Sequence, residues 1–285
     1  MDHTALVLYY TRSQNTARLA KAAEAAIAEC GWQVSCISLD QAEKKFPDKM
    51  PSLIILGTPV QYWTVPAAAM EYIQRLPDLN GCPAFVYSCY GGCVANNVPY
   101  TLAKELTAKG ATAIGGAQLL TPHSCRIGSG KRLGDVEGSF GKGLPDEGML
   151  DEFKDAVTRV VRTVETGTVS PVAMDRLKIN TKGILAAAMN PVSPLKMKRM
   201  FMPPVAVNPS ACEGCGTCLK VCDTGSIRLD ENKTATINQK TCYRCYGCME
   251  VCPNEALSTN WKQAELVVRS MNLIAKDKEK SVFVL

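Results

Sequence analysis

The chain has 285 residues, of which 46% are hydrophobic, and a formal net charge of +5 at pH 7. This length suits one large domain or two smaller ones, and the hydrophobic share excludes a disordered chain. No apolar run reaches the roughly 18 residues of a transmembrane helix. The start Met1-Asp2-His3-Thr4 does not resemble a signal peptide, so we expect a cytoplasmic protein.

Fourteen cysteines are unusual for a chain of this kind. Disulfide-rich secreted proteins are shorter and less apolar, whereas clustered cysteines in a cytoplasmic protein more often bind metal. Eight of the cysteines lie between positions 212 and 252. We expect most of the others to be small buried hydrophobic residues; they are Cys30, Cys36, Cys82, Cys89, Cys93 and Cys125.

Strands and helices alternate along the first 166 residues. The expected strands are Ala5–Tyr9, Gln33–Ile37, Leu53–Leu56, Ala84–Tyr87 and Ala113–Leu120. The expected helices are Thr16–Cys30 with Asn15 as its cap, one that follows Pro66, Asn97–Lys109, and Asp146–Glu165. Several strands are apolar throughout, which predicts a parallel sheet covered by helices on both faces. Ligands of such sheets bind beyond the carboxyl ends of the strands.

Residues 168–204 interrupt this pattern with five prolines, six basic residues and a single acidic residue, Asp175. We interpret them as a basic linker with a short helix near Gly183–Met189. Such a segment could contact an acidic partner, a cofactor phosphate or a membrane surface, or be a solvated connector. No other feature supports nucleic-acid binding. A helix near Trp261–Ala275 and a short Val282–Leu285 tail are expected to end the chain.

Two related cysteine runs fill the region between the linker and that last helix. They are Cys212-x2-Cys215-x2-Cys218-x3-Cys222 and Cys242-x2-Cys245-x2-Cys248-x3-Cys252-Pro253. In such runs three closely spaced thiolates bind one [4Fe–4S] cluster, and the fourth cysteine binds the other cluster. The expected ligand sets are Cys212, Cys215, Cys218 and Cys252 for one cluster, and Cys242, Cys245, Cys248 and Cys222 for the second.

Zinc is the alternative metal, but zinc sites use separated cysteine pairs, often with histidine. Both histidines of the chain, His3 and His123, lie outside this region. The run resembles the bacterial two-cluster ferredoxin module over residues 210–257. Asp223 stands where that family usually has proline, and its carboxylate is expected to lower the potential of the neighbouring cluster.

The first strand leads directly into Thr11-Arg12-Ser13-Gln14-Asn15-Thr16 and a helix. Hydroxyl, amide and backbone N–H groups at a helix N-terminus can bind a phosphate without lysine. The segment resembles the FMN phosphate loop of flavodoxins, although ordinary helix capping is the alternative.

Two further strand ends support this resemblance. The third strand is followed by Gly57-Thr58-Pro59-Val60-Gln61-Tyr62-Trp63, and the fourth by Ser88-Cys89-Tyr90-Gly91-Gly92-Cys93. In the flavodoxin family these two loops hold the isoalloxazine ring. Trp63 and Tyr90 are therefore the candidate stacking residues, with interior packing as the alternative for each.

The whole chain resembles the EFR1-type family, in which a flavodoxin-like domain is fused to a ferredoxin. The resemblance implies an α/β fold, namely a flavodoxin-like doubly wound five-stranded parallel sheet followed by a small α+β two-cluster ferredoxin domain. The expected divisions are 1–167 for the FMN domain, 168–204 for the linker, 205–260 for the ferredoxin domain, and 261–285 for the helix and tail. The 125–145 loop and the linker belong to neither simple parent.

These parts predict an electron carrier with two [4Fe–4S] clusters and FMN, which exchanges electrons with redox partner proteins of ferredoxin type as donor or acceptor. A homodimer is left open. The alternatives are a flavin-dependent reductase, with Cys89, Cys93, Cys125 or His123 as proton donors, and a redox sensor without flavin. No GxGxxG fingerprint follows the first strand, so direct NADH oxidation is not expected.

Overall fold

A computed structural model describes most of the chain. The described residues are 3–11, 13–61, 64–92, 97–124, 126–128, 131–132, 139, 141–179, 199, 202–222, 224–263, 265–266 and 281–285. Among them, no helix combines the length and the apolar character needed to cross a membrane.

The first domain alternates strands and helices as predicted. Its strands are β1 (Thr4–Tyr9), β2 (Gln33–Ser38), β3 (Leu53–Pro59), β4 (Pro83–Tyr90) and β5 (Thr112–Leu120). Its helices are α1 (Asn15–Glu29), α2 (Leu39–Lys45), α3 (Ala67–Gln74), α4 (Val98–Ala108) and α5 (Glu147–Glu165). Helix α2 was not predicted. A short hairpin of β6 (Arg126–Gly128) and β7 (Lys131–Arg132) lies in the loop before α5.

The five strands form one parallel sheet in the order β2-β1-β3-β4-β5. This is the flavodoxin-like order of doubly wound folds, with its switch point between β1 and β3. Helices cover both faces, because β1, β3 and β4 are buried on both sides. One apolar core includes residues of α2, α3 and α4, and the other includes residues of α1 and α5.

A sixth strand that the sequence did not predict joins this sheet. The tail forms β12 (Val282–Val284), which pairs antiparallel with β5. Val284 is buried and belongs to the core on the α4 side. The chain therefore returns to the sheet edge of the first domain after the second domain.

The segment after α5 also packs on the first domain. The backbone N–H of Val172 donates to the carbonyl of Ala113 at 2.8 Å. A 3₁₀ helix, Met174–Leu177, follows, and Leu177 is fully buried beside Gly116 of β5. Part of the expected linker thus contacts the sheet, while the helix expected near Gly183–Met189 lies outside the described residues.

Between residues 202 and 258, the described part of the second domain forms four short strands and two short helices. The strands are β8 (Ala206–Val207), β9 (Ile227–Leu229), β10 (Ala235–Ile237) and β11 (Leu257–Ser258), and the helices are α6 (Thr217–Lys220) and α7 (Gly247–Glu250). Met202 and Val205 are buried in its small core, which also includes Tyr246. Residues 261–263 are helical, and most of the helix expected there lies outside the described residues.

Candidate functional site

The two cysteine runs lie in two halves that pair with each other. Strands β8 and β9 flank the first run, and β10 and β11 flank the second at positions 30 residues later. Strand β8 pairs with β11, and β9 pairs with β10, both antiparallel. Every strand of one half is therefore hydrogen-bonded to a strand of the other half. This pairing brings the last cysteine of each run close to the first three cysteines of the other run.

Two surface cavities result, and each is lined by four cysteines. Cavity A is lined by Cys212, Cys215, Cys218 and Cys252. Cavity B is lined by Cys222, Cys242, Cys245 and Cys248. Each cavity combines the first three cysteines of one run with the fourth cysteine of the other, which is the division expected from the sequence.

Backbone N–H groups point at several of these sulfurs. The N–H of Ser226 donates to Cys222 Sγ at 3.3 Å, and the N–H of Ala256 donates to Cys252 Sγ at 3.3 Å. These two contacts are equivalent in the repeat. Ala235 N–H donates to Cys212 Sγ at 3.4 Å. Hydrogen bonds of this kind stabilise thiolate and tune the potential of an iron–sulfur cluster.

The four-thiol sets suit a cluster better than a single ion. Within the described part of the chain, no three His, Cys, Asp or Glu side chains converge as single-ion ligands do. The four thiols of each cavity instead surround an open space. Burial raises the pKa of the Cys248 thiol to about 12, and it also raises the pKa of Cys218. Because metal ligation requires thiolate, loading these cavities would release protons.

The loop after β1 leads directly into a long helix. The N-terminus of this helix lies at the carboxyl end of the strands, where ligands of such sheets bind. Helix α1 begins at Asn15, and no side chain among the described residues caps it; the expected Asn15 cap is therefore wrong. Asn15 Nδ2 is instead 3.5 Å from Ser13 Oγ, and Gln14 holds a left-handed φ of 66°. Thr11 Oγ1 is buried, and no described residue forms a hydrogen bond with it. Uncapped N–H groups and an orphaned hydroxyl fit a phosphate.

A buried tyrosine that the sequence did not single out supports this loop from below. Tyr87 of β4 is fully buried, and its hydroxyl donates to the carbonyl of Thr16 at 2.9 Å. Thr16 itself is 1% exposed. The first turn of α1 is thus fixed to the middle of the sheet.

The loop after β3 turns tightly between Gln61 and Thr64. The N–H of Gln61 donates to the carbonyl of Thr64 at 2.9 Å, and the N–H of Thr64 donates back at 3.1 Å. Val60 N–H donates to the carbonyl of Cys89 at 2.7 Å, which joins this loop to the end of β4. The residues at its tip, Tyr62 and Trp63, lie outside the described residues.

Three polar side chains form a row across the sheet just before these loops. Thr58, Ser88 and Gln118 are neighbours in register on β3, β4 and β5, and each is completely buried. Within the described part of the chain, the Thr58 hydroxyl, the Ser88 hydroxyl and both amide atoms of Gln118 have no hydrogen-bond partner. Buried polar atoms are nearly always paired in proteins, so the row marks the ligand end of the sheet. The pattern of apolar and polar residues along each strand did not by itself predict this row of polar side chains.

The loop after β4 passes very close to the end of β5. A Cβ at Gly91 would lie 2.7 Å from the Cα of His123, so only glycine fits there. Gly92 has a φ of 95°, which also favours glycine. Tyr90 is 2% exposed, so protein atoms cover its ring. Of the two interpretations of Tyr90, interior packing is favoured.

The proton-donor candidates near this loop are held neutral. Burial raises the pKa of the Cys89 thiol to about 12 and lowers the pKa of His123 to about 4. Near neutral pH the first is a thiol and the second a neutral imidazole. Four other residues singled out in the sequence lie outside the described part of the chain: Arg12, Cys93, Cys125 and Asp223.

Comparison with known proteins adds one family match. Residues 211–256 match the model of the 4Fe–4S dicluster domain. No curated protein matches the chain. The second domain is therefore of the 4Fe–4S dicluster type, in agreement with the two cavities, and it is fused to a flavodoxin-like domain.

Solved structures similar to the first domain include flavodoxins. A flavodoxin from the domain Archaea is 19% identical, with a TM-score of 0.42, over 57% of this chain and 99% of its own. Oxidised flavodoxin 1 from Bacillus cereus is 16% identical, with a TM-score of 0.39, over 56% of this chain and 97% of its own. Rubredoxin oxygen:oxidoreductase from the anaerobe Desulfovibrio gigas is 12% identical, with a TM-score of 0.44, over 59% of this chain and 37% of its own. Because these identities and TM-scores are low, the flavodoxin-like fold is assigned from the strand order of the sheet.

Proposed function

We propose that this chain is an electron-transfer protein that binds two [4Fe–4S] clusters and FMN, and that it exchanges single electrons with redox partner proteins. The observation that carries the proposal is the pair of cavities, each lined by three cysteines of one run and the fourth of the other. When bound, such clusters supply one-electron chemistry and FMN supplies one- or two-electron chemistry.

The residues around the first domain's ligand edge support flavin binding. The N-terminus of α1 and the hydroxyl of Thr11 would receive the phosphate. Gly91 and Gly92 would let backbone amides approach a flat ring closely. The loop of residues 58–63 would lie on the other side of the ring, with Trp63 as the proposed stacking residue.

One ion pair supports communication between the two domains. Arg132 of the β6–β7 hairpin lies 3.7 Å from Glu250 of α7, and both side chains are partly exposed. Helix α7 carries Cys248 and leads to Cys252, so it borders both cavities. A pair this exposed contributes less than about 1 kcal/mol, which suits a contact that orients two domains rather than fuses them.

A reductase acting on a small molecule is the weaker candidate. It needs a proton donor at the flavin edge, and the described candidates are poor acids near neutral pH. Cys89 is a buried thiol whose pKa is raised to about 12, and His123 is neutral because burial lowers its pKa to about 4. We therefore favour a carrier. We further propose membership of the EFR1-type fusion family, and a cytoplasmic location, because reduced cluster-binding thiols need a reducing compartment.

Anaerobic purification with cofactor analysis tests the proposal. Two clusters correspond to about eight iron atoms per chain, and we expect one FMN beside them. Reduced ferredoxin should then bleach the flavin absorbance, and Cys245→Ser should slow that step while the FMN content stays unchanged. Tightly bound zinc would contradict the cluster assignment. Iron without FMN would contradict the flavin part, and steady turnover of NAD(P)H, quinones or small oxidants would favour the reductase.

A further inference from the structure

The two halves of the second domain differ at both positions between the first two cysteines of the cluster loop. Between the first two cysteines of each run lie Glu213-Gly214 in the first half and Tyr243-Arg244 in the second. Gly214 and Arg244 both have a left-handed backbone, with φ values of 69° and 50°. A non-glycine residue is costly in this conformation. Arg244 is kept there although glycine fits the equivalent turn.

Arg244 is held in place by its backbone and its side chain. Its N–H donates to Cys242 Sγ at 3.3 Å, which puts the residue directly against the sulfur ring of cavity B. Its guanidinium donates through Nη1 to the carbonyls of Arg199 and Met202. Met202 is 5% exposed and belongs to the domain core. The positive charge is therefore fixed at the edge of the cluster loop and not free in solvent.

Neither the Arg244 guanidinium nor the Arg199 guanidinium has a counter-charge among the described residues. Arg244 Nε, Arg199 Nε and Arg199 Nη2 are buried, and none has a hydrogen-bond partner among the described residues. Within the described residues, no carboxylate forms an ion pair with either arginine. A buried charge without an opposite charge is strongly unfavourable. A cluster in cavity B would supply an anion close to the Arg244 backbone, because its four thiolates outweigh the charge of its iron–sulfide core.

Cavity A has no arginine at the equivalent position; a lysine, Lys233, lies beside Gly214 but is exposed to solvent. Glycine replaces Arg244 at the equivalent position, and Glu213, which follows Cys212, is exposed and acidic. Positive charge near a cluster favours its reduced, more negative form, and negative charge disfavours it. Asp223, which follows Cys222, was expected to act in the opposite sense on cavity B, and it lies outside the described residues.

We infer that Arg244, supported by Arg199, raises the reduction potential of the cluster ligated by Cys222, Cys242, Cys245 and Cys248 above that of the cluster in cavity A. This inference rests on the proposed function. Of the two clusters, the one in cavity B is therefore reduced first and the one in cavity A second. The transfer involves only one electron per step from an external one-electron donor, with no bond formed or broken.

A potentiometric titration followed by EPR tests the inference. The wild type should show two one-electron steps separated by at least about 59 mV, which corresponds to a tenfold preference for one cluster. Arg244→Gln should move the upper step towards the lower one and leave the lower step in place. Arg244→Lys should keep most of the separation. Glu213→Gln should raise the lower step only, which assigns that step to cavity A.

Arg199→Gln is a second variant that tests the charge effect without removing the contacts of Arg244, whose loss could disturb the fold. The Arg199 side chain donates no described hydrogen bond, so its loss leaves the carbonyl contact with Arg244 intact. It should lower the upper step as Arg244→Gln does, but by less. Arg228→Gln is the matched control, since Arg228 is an exposed arginine of β9, and neither step should move.

Two outcomes would overturn the inference, and they differ from a failure of the proposed function. Equal potentials in the wild type, or an upper step that is unchanged in both arginine variants, would show that these charges do not set the order of reduction. In each of those cases about eight iron atoms per chain would still be present. Zinc or the absence of cubane EPR signals would instead remove the proposed function itself.

Discussion

The ring of Tyr87 occupies the space in which a side chain at position 57 would lie. A Cβ built on Gly57 would be 1.9 Å from Tyr87 Cζ, far closer than real atoms approach. The same tyrosine donates its hydroxyl to the carbonyl of Thr16. Strands β3 and β4 and the start of α1 are thus joined at a single point directly beneath the proposed phosphate loop.

Gly57→Ala should therefore destabilise the first domain by about 3 kcal/mol or more, because overpacking of a rigid buried ring forces the backbone to shift. Urea unfolding followed by circular dichroism measures the loss, and flavin titration should show weaker FMN binding. Gly148→Ala is the matched control, since nothing lies closer than 3.7 Å to its Cβ position in the first turn of α5. Equal stability of both variants would contradict the packing argument.

Tyr87→Phe should keep the ring in place and remove one buried hydrogen bond. The carbonyl of Thr16 would then lose its described side-chain donor, at a cost of about 1–2 kcal/mol. We expect a smaller loss of stability than in Gly57→Ala, together with a several-fold rise in the FMN dissociation constant. If FMN affinity were unchanged while stability fell, Tyr87 would support the core but not the loop.

Each cysteine run is expected to supply its fourth cysteine to the cluster of the other run, and this pairing can be tested directly. Cys252→Ser should alter the same EPR signal as Cys215→Ser, and Cys222→Ser the same signal as Cys245→Ser, because each pair lines one cavity. Cys36→Ser is the control. Burial raises the pKa of that thiol to about 11, and it lies on β2, outside both cavities. Pairing of Cys252 with Cys245 instead would mean that each run binds its own cluster.

Strand β12 should contribute to the stability of the first domain. Val284→Asp would put a carboxylate at a position that is 6% exposed, at a cost of about 2–3 kcal/mol. Hydrogen exchange of the β5 amides should rise. Leu285→Asp is the neighbouring control, because that side chain is 38% exposed and should tolerate the charge. Unchanged protection of β5 in the Val284 variant would show that β12 does not hold the edge.

His123 should make the first domain less stable in mild acid. Burial lowers its pKa from 6.5 to about 4, so the unfolded chain binds the proton more readily than the folded chain between these values. The stabilisation is complete above about pH 6.5 and is lost as the pH falls towards about 4, by about 3 kcal/mol in total. Urea midpoints at pH 7 and pH 5 measure the effect.

His123→Gln supplies the comparison for that measurement. The variant cannot titrate in this range, so the part of the acid sensitivity due to position 123 should disappear. A decline identical to that of the wild type would assign the acid sensitivity to other groups.

Much of the cluster region follows from the sequence alone. Cluster ligands three or four residues apart are fixed by local chain geometry, and the 30-residue repeat doubles that local pattern. The parallel sheet was also predictable, since strands buried on both faces read as continuous apolar runs. In each case the signal lies within a few neighbouring residues.

The contacts that only the tertiary structure decided join residues far apart in the chain. Tyr87 meets Gly57 and Thr16, His123 meets Gly91, and β12 returns to β5 after the whole second domain. Arg244 contacts the segment near Met202, which looked like linker. Spacing along the sequence carries no information on such pairs, because they are selected by packing between elements and by the need to give each buried polar group a partner.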